Sequence, residues 1–303
     1  MDSTTFAYIK DICTRLPRPQ IFLAVTNGKF LRFIMQNTKP HSDIINHNRE
    51  AWDKQARANC EWSKPVSSEQ VAAACAGQWE VKLTPGTIPA SWLGDVRDRK
   101  ILCLASAGGQ QAPLLAAAGA EVTVFDISEG QLDQDRMVAE RENLPLTAIQ
   151  GDMRDLSCFD DETFDIIFHP ISNLYIPDIQ PVWRECYRVL QHSGRLLSSF
   201  YNPVVFVGDR NPEDAKQGIV RPVYRMPFAE QEHLNTEQLA AKQQNQEAFV
   251  FGHSLSDQIS GQLKAGFVIA GFQEDYQPAP RFVIDPYLPT FLATCAVKTG
   301  NHL

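Results

Sequence analysis

Lys100 to Asp126 reads KILCLASAGGQQAPLLAAAGAEVTVFD, a sequence of residue types that spells strand, turn, helix and strand. Ile101, Leu102, Cys103 and Leu104 form the near-continuous apolar run of a parallel strand buried on both faces. Ala105, Ser106, Ala107, Gly108 and Gly109 carry almost no side chain, so the backbone of this turn can lie against a ligand. Pro113 suits the first turn of a helix, Leu114 to Ala118 propagate it, and Gly119 fits a left-handed position after its end. Glu121 to Phe125 make the next strand. Asp126 closes it, where a carboxylate can accept hydrogen bonds from two vicinal ribose hydroxyls. The segment is the front half of a nucleotide-binding βαβ unit.

The glycine pattern narrows the ligand. A dinucleotide fold uses G-x-G-x-x-G to seat a pyrophosphate on the helix N-terminus, whereas the only glycines in this turn are the adjacent Gly108 and Gly109. A ligand with a nucleoside and no phosphate fits better. Further on, Leu146 to Gln150 reads as a third strand, followed by Gly151-Asp152-Met153. Phe164 to Phe168 reads as a fourth strand, and Val182 to Leu190 as a helix with Trp183, Tyr187 and Leu190 on one face. Ser254 can cap a helix whose Leu255, Ile259 and Leu263 share a face and which Gly266 ends. Phe267 to Phe272 and Thr290 to Val297 follow as two apolar strands with a short loop between them.

With its small-residue turn, acidic strand end and Tyr187-Arg188-Val189-Leu190-Gln191-His192-Ser193-Gly194-Arg195-Leu196-Leu197 junction, the chain resembles the class I S-adenosylmethionine-dependent methyltransferases over about Lys100 to Phe200. Within that class it is similar to a particular prokaryotic group, through Asn48 to Trp52, Pro65 to Ser68, Cys103 to Gln111, Gln150 to Leu156, Phe168 to Asn173, Gly252 to Ser254, and Asp257-Gln258. This wider resemblance spans about His47 to Lys298. It implies a doubly wound, Rossmann-like α/β fold with a seven-stranded mixed sheet, strand order 3-2-1-4-5-7-6 and strand 7 antiparallel. It also implies S-adenosylmethionine as cofactor and S-adenosylhomocysteine as product. Carried onto this chain, the cofactor-binding positions are Ala105, Ser106, Gly108, Gly109, Gln110, Gln111, Asp126, Ile127, Gln131, Asp152, Met153 and His169. Asp126 is expected to hold ribose, and Asp152 with Met153 the adenine.

The chain departs from the class in the turn. Cys103 stands where the class has an acidic residue, and Ala105 and Ala107 stand at two of its glycine positions, so the methionine part must be held differently. Gln110 and Gln111, at the helix N-terminus, are candidates for amide contacts to the cofactor carboxylate, aided by backbone N-H groups and the helix dipole. The alternative is that they only cap the helix.

Methyl transfer mainly requires alignment and exclusion of water. A base is needed only where the acceptor atom must lose a proton. His169, just after the fourth strand, has suitable chemistry, with an orienting role through nearby backbone as its alternative, and His253 is a second candidate. Trp52, Asn173, Tyr175 and Asn202 are the candidate acceptor-side residues.

Composition bounds the rest. Twenty-eight Lys and Arg against 36 Asp and Glu give a net charge of -8, so there is no overall electrostatic footprint for nucleic acid, and the Asn-Pro-Pro-aromatic motif of amino-methylating nucleic-acid enzymes is missing. A small-molecule acceptor is the expectation, with nucleic acid or protein as alternatives, alongside a cofactor-sensing module without turnover and an NAD-dependent oxidoreductase. No run approaches the roughly 18 apolar residues of a membrane span. Seven scattered cysteines without a C-x-x-C pair read as reduced thiols of a cytoplasmic protein, and nothing argues for a metal. Residues 1-40 form an extension of unassigned role, and oligomeric state is left open. Residues 41-96 form a helical cover rich in tryptophan. Residues 97-303 form the methyltransferase core, interrupted by a polar insertion at 202-249 expected to be a substrate-side cap.

Overall fold

The computed structural model describes residues 22-26, 29-33, 41-209 and 211-300. The chain forms two compact units, residues 1-43 and 44-303. In the first, strands β1 (Phe22–Thr26) and β2 (Lys29–Phe33) pair antiparallel, with Phe22 opposite Phe33 and Thr26 opposite Lys29. The rest of the 1-40 extension lies outside the described residues.

The larger unit holds most of helix α1 (His41–Arg57), then α2 (Ser68–Cys75) and α3 (Ala90–Leu93). Strand β3 (Lys100–Leu104) follows, then α4 (Gln111–Ala117), β4 (Glu121–Asp126), α5 (Glu129–Glu142), β5 (Leu146–Gln150) and β6 (Phe164–His169). Helix α6 (Gln180–Val189) runs directly into β7 (Leu190–Tyr201). The insertion holds α7 (Pro212–Lys216), β8 (Phe228–Ala229), α8 (Glu230–His233) and α9 (Thr236–Gln244), and β9 (Phe251–Gly252) pairs with β8. Helix α10 (Gly261–Ala265), β10 (Phe267–Asp275) and β11 (Phe291–Lys298) complete the fold.

The seven-stranded sheet has spatial order β5-β4-β3-β6-β7-β11-β10. Numbered within the sheet, this is the expected 3-2-1-4-5-7-6. Five strands are parallel, and β11 runs antiparallel between β7 and β10. The period-two alternation of a strand explains why β3 is apolar throughout. Ile101 and Cys103 pack with Ala112, Leu115 and Leu132, whereas Leu102 and Leu104 pack with Leu156, Ile167 and Trp183 in the opposite layer. Among the described residues no helix is long and apolar enough to cross a membrane.

Two local expectations are corrected. The helix after Ser254 does not bury Leu255 and Leu263, which are 45% and 50% exposed, but Gln258 and Gln262. Ser256–Ser260 is a π-type turn. Its extra residue per turn rotates the following helix out of the 3.6-residue register from which the apolar face was read. Gln262 accepts from Thr294 Oγ1 at 3.0 Å, and Gln258 accepts from Asn173 Nδ2 at 3.0 Å, so the buried glutamines meet polar partners. The β10-β11 connection is also not short. Residues 276-290 leave the sheet edge and return to form part of a cavity wall.

Candidate active site

A cavity of about 830 Å³ opens over the carboxyl ends of β3, β4, β5 and β6, where ligands of open α/β sheets bind. One side is lined by Ala105, Ser106, Ala107, Gln110, Gln111, Asp126, Ile127, Gln131, Asp152 and Met153. The other is bounded by Trp52, Tyr175, Tyr201 and Phe291, with Pro278, Pro280 and Arg281 from the 276-290 connection. This second contribution escaped sequence reading because the segment is remote from every motif; the spaced prolines Pro278 and Pro280 were the available sign of an ordered loop.

The turn after β3 is built differently from the expectation. Gly108 N donates to Gln131 Oε1 at 2.7 Å and Gly109 N to Asp135 Oδ1 at 2.8 Å. These N-H groups serve helix α5, and neither glycine lines the cavity. A Cβ on Gly108 would lie 2.4 Å from Gln131 O, so its glycine identity reflects helix approach and not ligand approach. Ala105 and Ala107 take φ of 47° and 68°, the left-handed conformation for which glycine is the usual residue. Asp135 was missed by sequence analysis. It is fully buried, and desolvation pushes its carboxyl well above the usual range. Its signal was a carboxylate four residues after Gln131 on a helix face that also buries Leu132 and Val138.

Gln110 and Gln111 fasten the cover. Gln110 Nε2 donates to Glu61 O at 2.6 Å and Lys64 O at 3.1 Å, while Val66 N donates to Gly109 O at 2.8 Å. Gln111 Oε1 accepts from Lys82 N at 2.7 Å, leaving its donor end for the cavity. Helix α1 is held from both sides. Asp53 Oδ1 accepts from Ser128 Oγ and Gly130 N at the start of α5. Asn48 Nδ2 donates to Tyr175 O and Phe249 O, and its Oδ1 accepts from Phe249 N at 2.7 Å. Asn48→Ala strands three backbone groups, so we expect a stability loss of about 2-3 kcal/mol in denaturant unfolding.

Of the acceptor-side candidates, Trp52 and Tyr175 line the cavity, their rings edge to face at 5.0 Å. Asn173 and Asn202 do not. Asn173 bonds Gln258, and Asn202 caps the turn Pro203–Phe206 through Val204 N. Residues 202-249 contribute no lining side chain. Val205, Phe206 and Phe228 instead pack behind Ile171, Tyr175 and Tyr201, so the insertion buttresses the aromatic wall of the cavity.

The histidines stand away from the cavity lining. His169 is fully buried and its Nδ1-H donates to Leu104 O at 2.9 Å; burial pushes its pKa down to about 4, so the ring is neutral at pH 7. His169 thus bonds the backbone of β3 from outside the cavity lining. His253 Nε2 bonds Asn173 O and Ile176 O at 3.1 Å and is likewise shifted down by burial. In contrast, Asp126 faces the cavity half-buried, accepts from Ser128 N at 2.8 Å, and is raised to about 7 by desolvation. Asp152 is gripped by the Arg154 guanidinium at 2.6 Å, and Met153 packs beside it. Ser106 Oγ lines the cavity and is buried with no hydrogen-bond partner.

Comparison with known proteins places this geometry. Residues 102-198 match a family described as a methyltransferase domain. The chain is 46% identical over 256 residues to "Uncharacterized methyltransferase YbaJ" of Bacillus subtilis, covering 84% of this chain and 98% of that protein. The chain belongs to this methyltransferase family. Two solved methyltransferases share its fold at low identity. An S-adenosylmethionine-dependent methyltransferase from Mesorhizobium loti superposes with a TM-score of 0.52 at 19% identity, covering 68% of this chain and 94% of that one. The 1,6-didemethyltoxoflavin-N1-methyltransferase of Burkholderia thailandensis, solved with 1,6-didemethyltoxoflavin and S-adenosylhomocysteine, gives 0.55 at 13% identity over 91% of this chain and 98% of that one.

Proposed function

We propose that the cavity binds S-adenosylmethionine along its Asp126 side and a small-molecule acceptor along its Trp52 side, and that the chain transfers a methyl group between them. The observation that carries this reading is a single cavity with two chemically different sides, one polar at the strand ends and one aromatic. Its volume lies at the upper end of the usual range for small-ligand sites, about 300-1,000 Å³, which suits two ligands side by side. A cofactor-sensing module would need no second compartment.

The residues fit the cofactor. Asp126 offers a carboxylate to the ribose hydroxyls, Met153 and Ile127 offer apolar packing for adenine, and Asp152 stands beside them. Ser106 and the donor end of Gln111 both belong to the lining beside the turn, and we assign them to the methionine part. When bound, the cofactor supplies a methyl carbon on a sulfonium, which departs as a thioether after in-line attack. The chain aligns the two ligands through α1, the 276-290 connection and the buttressed Tyr175 and Tyr201, and it excludes water from between them.

The net charge of -8 and the aromatic lining of the cavity support a small molecule over nucleic acid or protein. The Burkholderia enzyme, solved with 1,6-didemethyltoxoflavin, points the same way. Free thiols at Cys60, Cys75, Cys103, Cys158, Cys186 and Cys295 support a cytoplasmic location. The test is calorimetric titration of the purified chain with S-adenosylmethionine, S-adenosylhomocysteine and NAD. Saturable binding of the first two and none of NAD is expected; preference for NAD would overturn the assignment.

A further inference from the structure

The acceptor side carries one more specification. Lys82 Nζ is neutralised by Glu80 at 2.7 Å, and Asp152 by Arg154. That leaves Arg281 and Glu61 as the charged lining side chains near the aromatic wall with no ion-pair partner among the described residues. Arg281 is built in. Its backbone N and that of Phe282 both donate to Oδ2 of the buried Asp285, at 2.7 and 2.8 Å, which fixes where its side chain leaves the loop. Its guanidinium lies over the Trp62 ring, 5.5 Å from the centroid, and acts electrostatically on the Tyr175 phenol.

We propose that the acceptor is a flat, conjugated acid bound as its anion, with its ring against the wall of Trp52, Tyr175 and Tyr201 and its anionic group on Arg281. This rests on the methyltransferase reading above. Aromatic walls favour a flat partner through area and ring stacking. A guanidinium already held over an aromatic face presents its N-H fork to an oxyanion with little further ordering. The same arrangement disfavours a cationic acceptor, because Arg281 covers the face of Trp62 that a cation would seek. Glu61 opposes the anion from an exposed position on the 3-10 turn Glu61–Ser63.

The test uses the intact chain saturated with S-adenosylhomocysteine and three probes of one ring system: 2-naphthoate, 2-naphthylmethanol and 2-naphthylmethylammonium. Binding is read from tryptophan fluorescence, since Trp52 and Trp62 both line the cavity. Naphthoate should bind about tenfold or more tightly than the alcohol, the usual advantage of a charge-assisted pair. Arg281→Gln should bring the two within about twofold while Glu61→Gln raises naphthoate affinity. Equal binding of acid and alcohol, preference for the ammonium, no binding of any probe, or an acid preference that survives Arg281→Gln would each overturn the proposal. Failure of S-adenosylhomocysteine itself to bind, measured first by calorimetry, would instead overturn the methyltransferase reading.

Discussion

Asp126→Ala should bind S-adenosylmethionine about a hundredfold more weakly than the parent in calorimetric titration. A hydrogen bond to a charged group contributes about 1.5-3 kcal/mol, and the substitution removes a carboxylate positioned for two of them. Parent-like affinity would show that the ribose lies elsewhere. The pH profile adds an independent check. Desolvation raises the Asp126 carboxyl from 3.8 to about 7, so the folded, ligand-free chain holds this proton more tightly than the unfolded chain does. Its contribution to stability is therefore greatest at low pH and declines as pH rises towards 7. Ribose hydroxyls donate to the ionised form, which reverses the sense for binding. Cofactor affinity should be full above pH 7 and fall below it, and Asp126→Ala should flatten that fall.

Gly108→Ala should destabilise the protein by about 3 kcal/mol, seen as a lowered midpoint in denaturant or thermal unfolding, and should lower cofactor affinity with it. The added Cβ would stand 2.4 Å from Gln131 O and 2.6 Å from Gln131 Oε1. The first is backbone of α5, which the sheet and the α1 contacts at Ser128 and Gly130 hold in place. Moving it breaks the Gly108-Gln131 and Gly109-Asp135 bonds that shape the turn. Ala107→Gly, one residue away, is the contrasting control. A left-handed L-residue costs roughly 1-2 kcal/mol and glycine's added chain entropy roughly 0.5-1 kcal/mol, so this change should be neutral to mildly stabilising. An equal loss in both variants would refute the assignment of Gly108 to helix packing.

The contrast between these neighbours explains how the turn could be read only in part. Its small side chains were visible, and so was its departure from the class glycines. Gly108 and Gly109, expected among the cofactor-binding positions, turn their N-H groups to Gln131 and Asp135 and stay out of the cavity lining. The glycines make room for α5, and the alanines accept the left-handed conformation instead. Gln110 and Gln111 stand at the start of α4 and in the cavity lining, and Gln110 spends its donors on the cover.

His169 shows the same limit. Its position after a core strand was legible, yet whether a side chain there enters the cavity or turns beneath it depends on Leu104, whose carbonyl takes its Nδ1-H. The helix after Ser254 was misread for a local reason, since a π-type turn changes the period on which face assignment rests.

By itself the sequence determined the βαβ start, the mixed seven-stranded sheet through its resemblance, and the carboxylate at the end of β4. These rest on short-range regularities: alternation along strands, periodicity along helices, and turn chemistry within a few residues. The tertiary structure alone decided the acceptor wall, the clamp of Gln131 and Asp135, and the place of Arg281. Those features join segments far apart in the chain, as Asn48 joins Tyr175 and Phe249, and Gln110 joins Glu61. Such contacts follow from how whole layers pack, and no local pattern encodes which distant loop will close over the strand ends.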